Sequence, residues 1–282
     1  MDNRTLMMLR VFANRFNPSA GEALLKFLPK ETMQAVLNQN IRSKDLSPLL
    51  NQPHALFQHL HYTWIKPAID QFPERLHPLF ISALNSEQVS GLYQDREPIA
   101  LSSPVRNFLQ NLIFNFLHTE KVLPFEYLPP SDLAVLTSWN KTQLVRLIDF
   151  LGIHDLASEV RRIVNKDHLK NIYSCLTPQQ YNYLSICLHQ REQIVAPKLG
   201  IDPSVKGCPH LKPILHRRGL VRFGKALCGQ HPDFAWYLSR IFDKGRGRVI
   251  LSAYQPQADP ALTALLKTQV MNLMDFLKAS HT

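Results

Sequence analysis

The residue types best suited to chemistry in this sequence are two cysteines and two histidines in its last third. They are the ligand types of a tetrahedral zinc site and lie at Cys208, His210, Cys228 and His231. A structural zinc site usually has paired ligands about two to four residues apart at both ends. Here Pro209 alone separates Cys208 from His210, which is poor spacing and stiff backbone. We therefore predict no metal site and keep these four residues as the alternative.

Familiar catalytic and nucleotide-binding patterns are absent. The sequence has no GxxxxGK[ST], GxGxxG, GxSxG or HExxH pattern, and its 12 histidines show no triad or metal spacing with carboxylates. Only 10 of the 282 residues are glycine, which also disfavours a glycine-rich phosphate loop. The sequence thus predicts a protein that is not an enzyme, with no catalytic residue, no cofactor and no small-molecule substrate.

Positive charge is concentrated between residues 206 and 248. The chain has 32 Lys and Arg against 22 Asp and Glu, a net charge of +10. Ten of those basic residues lie in 206–248 against two acidic ones, Asp233 and Asp243, a surplus of eight. Such a surplus favours an acidic protein, nucleic acid or an anionic membrane as partner. We predict that a partner-binding surface is built from Arg217, Arg218, Arg222, Lys225, Arg240, Lys244, Arg246 and Arg248.

Part of this basic segment has the spacing of an amphipathic helix. Arg218, Arg222 and Lys225 would share one face, and an apolar face would carry Leu220, Phe223 and Leu227. Replacing Arg218 and Arg222 with Glu is therefore expected to abolish partner binding and to leave helical content unchanged. The neighbouring aromatics Trp236 and Tyr237 are either interface anchors or buried core residues.

Helical periodicity runs through almost the whole chain. Pairs of Ser, Thr or Asp with Pro, at 103–104, 177–178 and 259–260, are typical of helix starts. Another helix follows Lys141, and Gly152 is predicted to end it. Residues 245–248 predict a basic turn, and a minor strand is expected at most near 248–251. The fold class predicted is all-α, with roughly a dozen short helices in irregular, orthogonal packing.

Chain length and proline placement predict two helical regions, 1–128 and 129–282, the second carrying the basic surface at 206–248. A single globule is the alternative, in which the proline clusters at 123–130 and 196–213 are ordered loops. No apolar run reaches the ~18 residues of a membrane span, and the first residues lack the apolar stretch of a secretory signal. The four cysteines are typical of reduced thiols in a cytosolic protein.

Two stretches at the ends of the chain resemble one known family. The first is Arg-Phe-Asn-Pro-Ser-Ala at 15–20, followed by Leu24 and by Leu-Pro at 28–29. The second leads to a terminal helix with Val-Met at 270–271 and contains Gly219, Leu220, Phe223, Leu227, Pro232, Ala235, Trp236 and Arg240. Together they resemble the K subunit family of bacterial type III secretion systems (SctK-like, or YscK-like). The middle of the chain, 40–188, does not match.

The resemblance implies a non-enzymatic adaptor in the bacterial cytoplasm, peripheral to the inner membrane, within the sorting platform of the injectisome. Members of the family link the cytoplasmic forkhead-associated domain of the inner-membrane ring protein to the pod protein. Through the pod protein they connect to the stator and the export ATPase. The resemblance carries over no catalytic residue, ligand or metal. A basic helical nucleic-acid-binding protein is the alternative, less favoured because no helix-turn-helix, RRM or zinc module is recognisable.

Overall fold

The protein is described here by a computed structural model. It describes residues 3–16, 25–39, 55–92, 99–117, 122–123, 127–190, 194, 199, 210–256 and 259–279. Within these residues the fold is all-α without a strand, as the sequence predicted, and thirteen α-helices are present. Several sequence predictions concern residues outside these ranges: Cys208, most of the first stretch that resembles the K subunit family, most of the proline cluster at 196–213, and residues 124–126 of the other cluster.

The described chain divides into two compact units, 1–132 with 231–244 and 133–230 with 245–282. The first unit contains α1 (Asn3–Phe16), α2 (Lys30–Leu37), α3 (Tyr62–Ile69), α4 (His77–Ser82), α5 (Ser86–Leu92), α6 (Ser103–Leu117) and α11 (Pro232–Ile241). The second contains α7 (Lys141–Val160), α8 (Lys166–Ser174), α9 (Pro178–His189), α10 (Leu211–Ala226) and α13 (Pro260–Ala279), and nearly all of α12 (Lys244–Ala253). Three short 3-10 helices lie at Ala55–His59, Glu74–Leu76 and Asp132–Ser138.

Local capping explains where the proline-marked helices begin. Thr177 and Gln180 form a reciprocal capping box: each side chain accepts a hydrogen bond from the other's backbone N–H, at 3.2 and 3.0 Å. The carboxylate of Asp259 accepts from the N–H of Ala261 at 2.9 Å. These helices and the one at Ser103 begin within a residue of their predicted starts.

The basic turn predicted at 245–248 is wrong, and the minor strand expected at most near 248–251 does not form. The whole segment is helical and belongs to α12. Gly247 and Ile250, three residues apart, are buried on one side of this helix. A Cβ on Gly224 of α10 would meet the carbonyl oxygen of Ile250 at 2.5 Å. Close packing against a glycine therefore overrides the weak helix preference of Gly, Val and Ile.

The prediction that Gly152 ends its helix is wrong, because α7 continues to Val160. The glycine instead lies where α7 meets α10. A Cβ on Gly152 would come within 2.1 Å of the carbonyl oxygen of Leu215, and a Cβ on Gly219 within 1.8 Å of that of Ile148. The two helices thus approach each other backbone to backbone, each through its own glycine.

Helix α7 is the central helix of the second unit. Its buried residues point in every direction around its axis, which is typical of a helix enclosed by others, and they include Leu144, Leu147, Ile148, Leu151, Ile153, Leu156 and Val160. Helices α9, α10 and α13 pack against it. The second unit therefore has one core organised around a single element.

Segment 231–244 belongs to the first unit although it lies far away in sequence. The Asp233 carboxylate accepts from the N–H of Leu123 at 3.0 Å, and the Tyr237 hydroxyl donates to the carbonyl of the same residue. The indole N–H of Trp64 donates to the carbonyl of Phe242 at 2.8 Å. In the division predicted from the sequence, this segment belongs to the region 129–282. The boundaries of independently folding domains stay a prediction.

Tyr237→Phe is expected to lower the free energy of unfolding by about 1–3 kcal/mol, because it leaves the Leu123 carbonyl buried without its donor. Urea denaturation followed by circular dichroism measures the change. Tyr181→Phe removes the hydroxyl of a tyrosine that is 46% exposed and serves as the control, with little change expected. Equal stability of the two variants would contradict the importance of this hydrogen bond.

Candidate docking surfaces

Three of the nine exposed Lys and Arg side chains in the described part of the second unit lie on α10: Lys212, Arg217 and Lys225. Arg217 and Lys225 are exposed, and Val221 lies between them at the same four-residue spacing, so the three follow one side of the helix. Arg248 of α12 is exposed, and Arg246 is partly exposed. The exposed cations Arg217, Lys225 and Arg248 can be reached by an acidic partner.

Arg222 is not available at the surface, in contrast to the predicted role. Its side chain is 5% exposed and forms an ion pair with Asp155 of α7, also 5% exposed. The Nε and Nη2 atoms of Arg222 lie 2.7 and 2.5 Å from one Asp155 oxygen. Its Nη1 donates to the side-chain oxygen of Gln269 on α13 at 2.8 Å. Arg222 thus connects three helices inside the second unit.

Arg218 lies at the edge of this buried pair. Its Nε is 3.8 Å from the second oxygen of Asp155, and its side chain is 23% exposed. One carboxylate is therefore neutralised by two guanidinium groups, one buried and one reaching toward solvent. The helix face that the sequence assigned to a partner is divided: Arg222 stabilises the fold, Arg218 lies at the margin, and Lys225 faces water.

In the first unit, Arg240 lies between two tryptophan rings. Its guanidinium carbon is 3.8 Å from the ring centroid of Trp64 and 4.8 Å from that of Trp236. Each cation–π contact of this kind contributes about 0.5–2 kcal/mol. Trp236, which the sequence left as either an interface anchor or a core residue, is partly exposed, whereas Tyr237 is buried.

Burial lowers the pKa of Arg240 to about 10, because desolvation disfavours the charged guanidinium. The group is still a cation at neutral pH. Within the described residues no carboxylate lies at ion-pairing distance from Arg240, its buried Nε has no hydrogen-bond partner, and its Nη1 only reaches Ser239 at 3.4 Å. The guanidinium also contacts the two tryptophan rings.

Both tryptophan rings are held in place before any ligand arrives. The Trp64 indole is fixed by its hydrogen bond to Phe242. Trp236 packs edge-on against Phe114 and Tyr237, with ring centroids 5.9 and 5.3 Å apart. A second cation, Lys244, places its Nζ 5.9 Å from the Trp64 ring, and its backbone N–H donates to the Thr63 hydroxyl at 3.0 Å. We call Trp64, Trp236, Arg240 and Lys244 the aromatic–cation cluster.

Two of the four alternative zinc ligands, Cys228 and His231, make other contacts in the structure. The Sγ of Cys228 is buried and accepts from the N–H of Gln255 at 3.2 Å. His231 caps the start of α11, its Nδ1 accepting from the N–H of Asp233 at 3.2 Å. His210 is exposed, and Cys208 lies outside the described residues. Across the described ranges, no group of three or more His, Cys, Asp or Glu side chains is placed to hold a metal.

Two features went unnoticed in the sequence. One is a buried polar cluster in the second unit, where His154 Nε2 lies 2.9 Å from the Tyr183 hydroxyl and Nδ1 lies 3.8 Å from Cys187 Sγ. A thiol this deeply buried is generally unreactive. The other is the apolar side of α6, which is only half buried. Val105, Phe108 and Phe116 are 45%, 62% and 47% exposed.

No helix in the described part of the chain combines the length and apolar character needed to cross a membrane. Comparison with protein families, curated proteins and solved structures found no match to this chain. Inferences about the role of the protein therefore rest on the resemblance in sequence and on the geometry of the described residues.

Proposed function

We propose that this chain is a non-enzymatic adaptor of a type III secretion injectisome, a K-type subunit of the sorting platform. It would link the cytoplasmic domain of the inner-membrane ring protein to the pod protein, and through the pod protein to the stator and export ATPase. Its place would be the bacterial cytoplasm beside the inner membrane. The observation that carries the proposal is the line of exposed cations on α10, inside the stretch that resembles the family.

The residues that carry the resemblance in this stretch are mostly packing residues. Gly219 allows the close approach of α10 to α7, and the apolar positions nearby are buried: Leu220, Phe223, Leu227 and Ala235. A pattern of this kind supports a shared helical fold. The partner contacts would then come from the exposed side of the same helices, where Arg217 and Lys225 lie. The exposed apolar residues of α6 add a second surface of the kind that often takes part in protein contacts.

The test is a pull-down with the ring protein's cytoplasmic domain and the pod protein from the same organism, at low and moderate salt. The double variant Arg217→Glu, Lys225→Glu is expected to bind one of them at least about tenfold more weakly, because the reversed charges repel an acidic partner. Its helical content should be unchanged, since both side chains are exposed.

The matched control reverses two other exposed cations of the second unit, Arg162→Glu with Lys170→Glu, and changes the net charge equally. It should bind as the unmodified protein does. Capture of neither partner would contradict the adaptor proposal, and equal loss in both variants would contradict the assigned surface. Tight binding of random duplex DNA that falls steeply with salt would instead favour the nucleic-acid alternative.

A further inference from the structure

We propose that the aromatic–cation cluster of the first unit is a preformed binding site for a carboxylate, supplied by an acidic segment of a partner protein. The cluster consists of Trp64, Trp236, Arg240 and Lys244 and lies on residues distinct from the exposed line of α10. The inference rests on the proposed function only in taking the carboxylate to belong to a partner protein. The anion site itself is argued from the geometry alone.

The positive charge of Arg240 is not balanced by a carboxylate in the described part of the chain. Buried or half-buried arginines are usually paired with a carboxylate, as Arg222 is with Asp155 in the second unit. Arg240 is desolvated between two rings, yet within the described residues it has no acidic partner, and its Nε hydrogen is unused. Lys244 adds a second positive charge beside the same Trp64 ring. An anion that reached the cluster would satisfy both cations.

The geometry of the Arg240 guanidinium favours a carboxylate as the anion that binds the cluster. A guanidinium presents its N–H groups in one plane, which matches the two oxygens of a carboxylate. Phosphate on a single-stranded nucleic acid would be the rival, because aromatic rings can stack on bases. Here the guanidinium already covers one face of each of Trp64 and Trp236, at 3.8 and 4.8 Å. A base would have to compete with the guanidinium for those faces, whereas a carboxylate binds the guanidinium itself, which favours an acidic peptide.

The side chains of the aromatic–cation cluster are already held in position before a ligand binds. The Trp64 ring is anchored to Phe242, the Trp236 ring packs against Phe114 and Tyr237, and Arg240 is partly exposed between them. A ligand that binds groups already fixed loses less conformational entropy on binding. Because both tryptophans contact the guanidinium, their fluorescence reports directly on an anion that arrives there.

The experiment titrates the full chain with a hexaglutamate peptide and follows tryptophan emission. A Trp139→Phe background leaves Trp64 and Trp236 as the reporters, since the chain has 3 tryptophans. We expect a saturable change in emission at up to millimolar peptide. Arg240→Gln should abolish the change, and Lys244→Gln should weaken binding several-fold. Arg75→Gln, an exposed arginine of the same unit, removes the same charge and should leave binding intact.

A stability measurement separates a ligand site from a purely structural arginine. Arg240→Met keeps an apolar stem between the rings and removes the desolvated charge. If the cation awaits a ligand, Tm of this variant should equal or exceed that of the unmodified protein. The peptide should then raise Tm only where Arg240 is present. A structural role alone predicts a lower Tm for Arg240→Met and no peptide effect in either protein.

Three results would overturn the inference. They are no emission change with peptide, an equal change in Arg240→Gln, and a change produced by single-stranded oligonucleotide at far lower concentration than by hexaglutamate. If Arg240→Gln fails to fold, Lys244→Gln provides the decision, and unaltered peptide binding by that variant counts against the site. Peptide binding that persists when neither secretion partner is captured would remove the proposed function and leave the carboxylate site standing.

Discussion

Replacing Arg222 with alanine is expected to lower the free energy of unfolding by about 3–5 kcal/mol, because it removes the buried partner of Asp155 and leaves that buried carboxylate with Arg218 alone, at 3.8 Å. Whole domains are stable by only about 5–15 kcal/mol, so this is a large fraction of the total. For a chain of this size the loss corresponds to roughly 6–20 °C in Tm. Asp155→Ala should have a similar effect, since it strands the arginine instead.

Two further variants test whether the buried ion pair is the cause of this loss of stability. Arg217→Ala, in the same helix but exposed, should change stability by no more than about 0.5 kcal/mol. The double variant Asp155→Leu, Arg222→Met removes both charges and should recover most of the loss, because an apolar pair of similar volume replaces the ion pair. Thermal unfolding followed by circular dichroism measures all of them. If Arg222→Ala proved as stable as Arg217→Ala, the buried ion pair would not stabilise the second unit.

The buried pair also changes how a charge-reversal experiment must be designed. The sequence suggested Arg218→Glu with Arg222→Glu as a test of the binding surface, with helical content preserved. In the structure Arg222→Glu would place a second carboxylate against Asp155 inside the core. Loss of binding by that variant would reflect unfolding. Arg217 and Lys225 are the residues whose reversal tests the surface itself.

Gly219→Ala is expected to destabilise the protein by about 1–3 kcal/mol or more, although alanine is favoured over glycine in a helix by about 1 kcal/mol. The added methyl would lie 1.8 Å from the carbonyl oxygen of Ile148. A backbone carbonyl cannot rotate away as a side chain can, so α7 and α10 must move apart. Core contacts along both helices would loosen with them. Urea denaturation measures the loss.

The second glycine at this contact provides an internal check. Gly152→Ala should destabilise as well, because its Cβ would lie 2.1 Å from the carbonyl oxygen of Leu215. Since both variants are relieved by the same separation of helices, the double variant should lose less than the sum of the two. Arg217→Ala again provides the control within α10. A Gly219→Ala protein as stable as the unmodified one would show that the helices do not meet so closely.

Local signals predicted the starts of four helices, α6, α7, α9 and α13. A Thr-Pro or Asp-Pro pair supplies its own cap within three residues, as Thr177 does with Gln180, so no distant partner is needed to place the helix start. Charge is equally readable, because the basic residues of α10 can be counted before any fold is known. The same local rules failed at Gly152 and at 245–248, where the chain is helical and the helix packs against α10.

The candidate sites depended on partners far away in sequence. Arg222 and Lys225 look alike in the sequence, but Arg222 meets Asp155, 67 positions earlier, and is withdrawn from solvent, whereas Lys225 is exposed. Helical spacing predicts which residues share a face but does not say which part of that face is covered by a neighbouring helix. The half-exposed apolar face of α6 reflects the same distinction.

The all-α class, the starts of four helices and the surplus of positive charge are readable from the sequence, because each depends on neighbouring residues or on composition. The tertiary structure alone decided which arginine is buried, which glycines bring helices together, and that Arg240 lies between Trp64 and Trp236. These outcomes are set by desolvation and close packing between segments distant in the chain, and neither is encoded in local spacing.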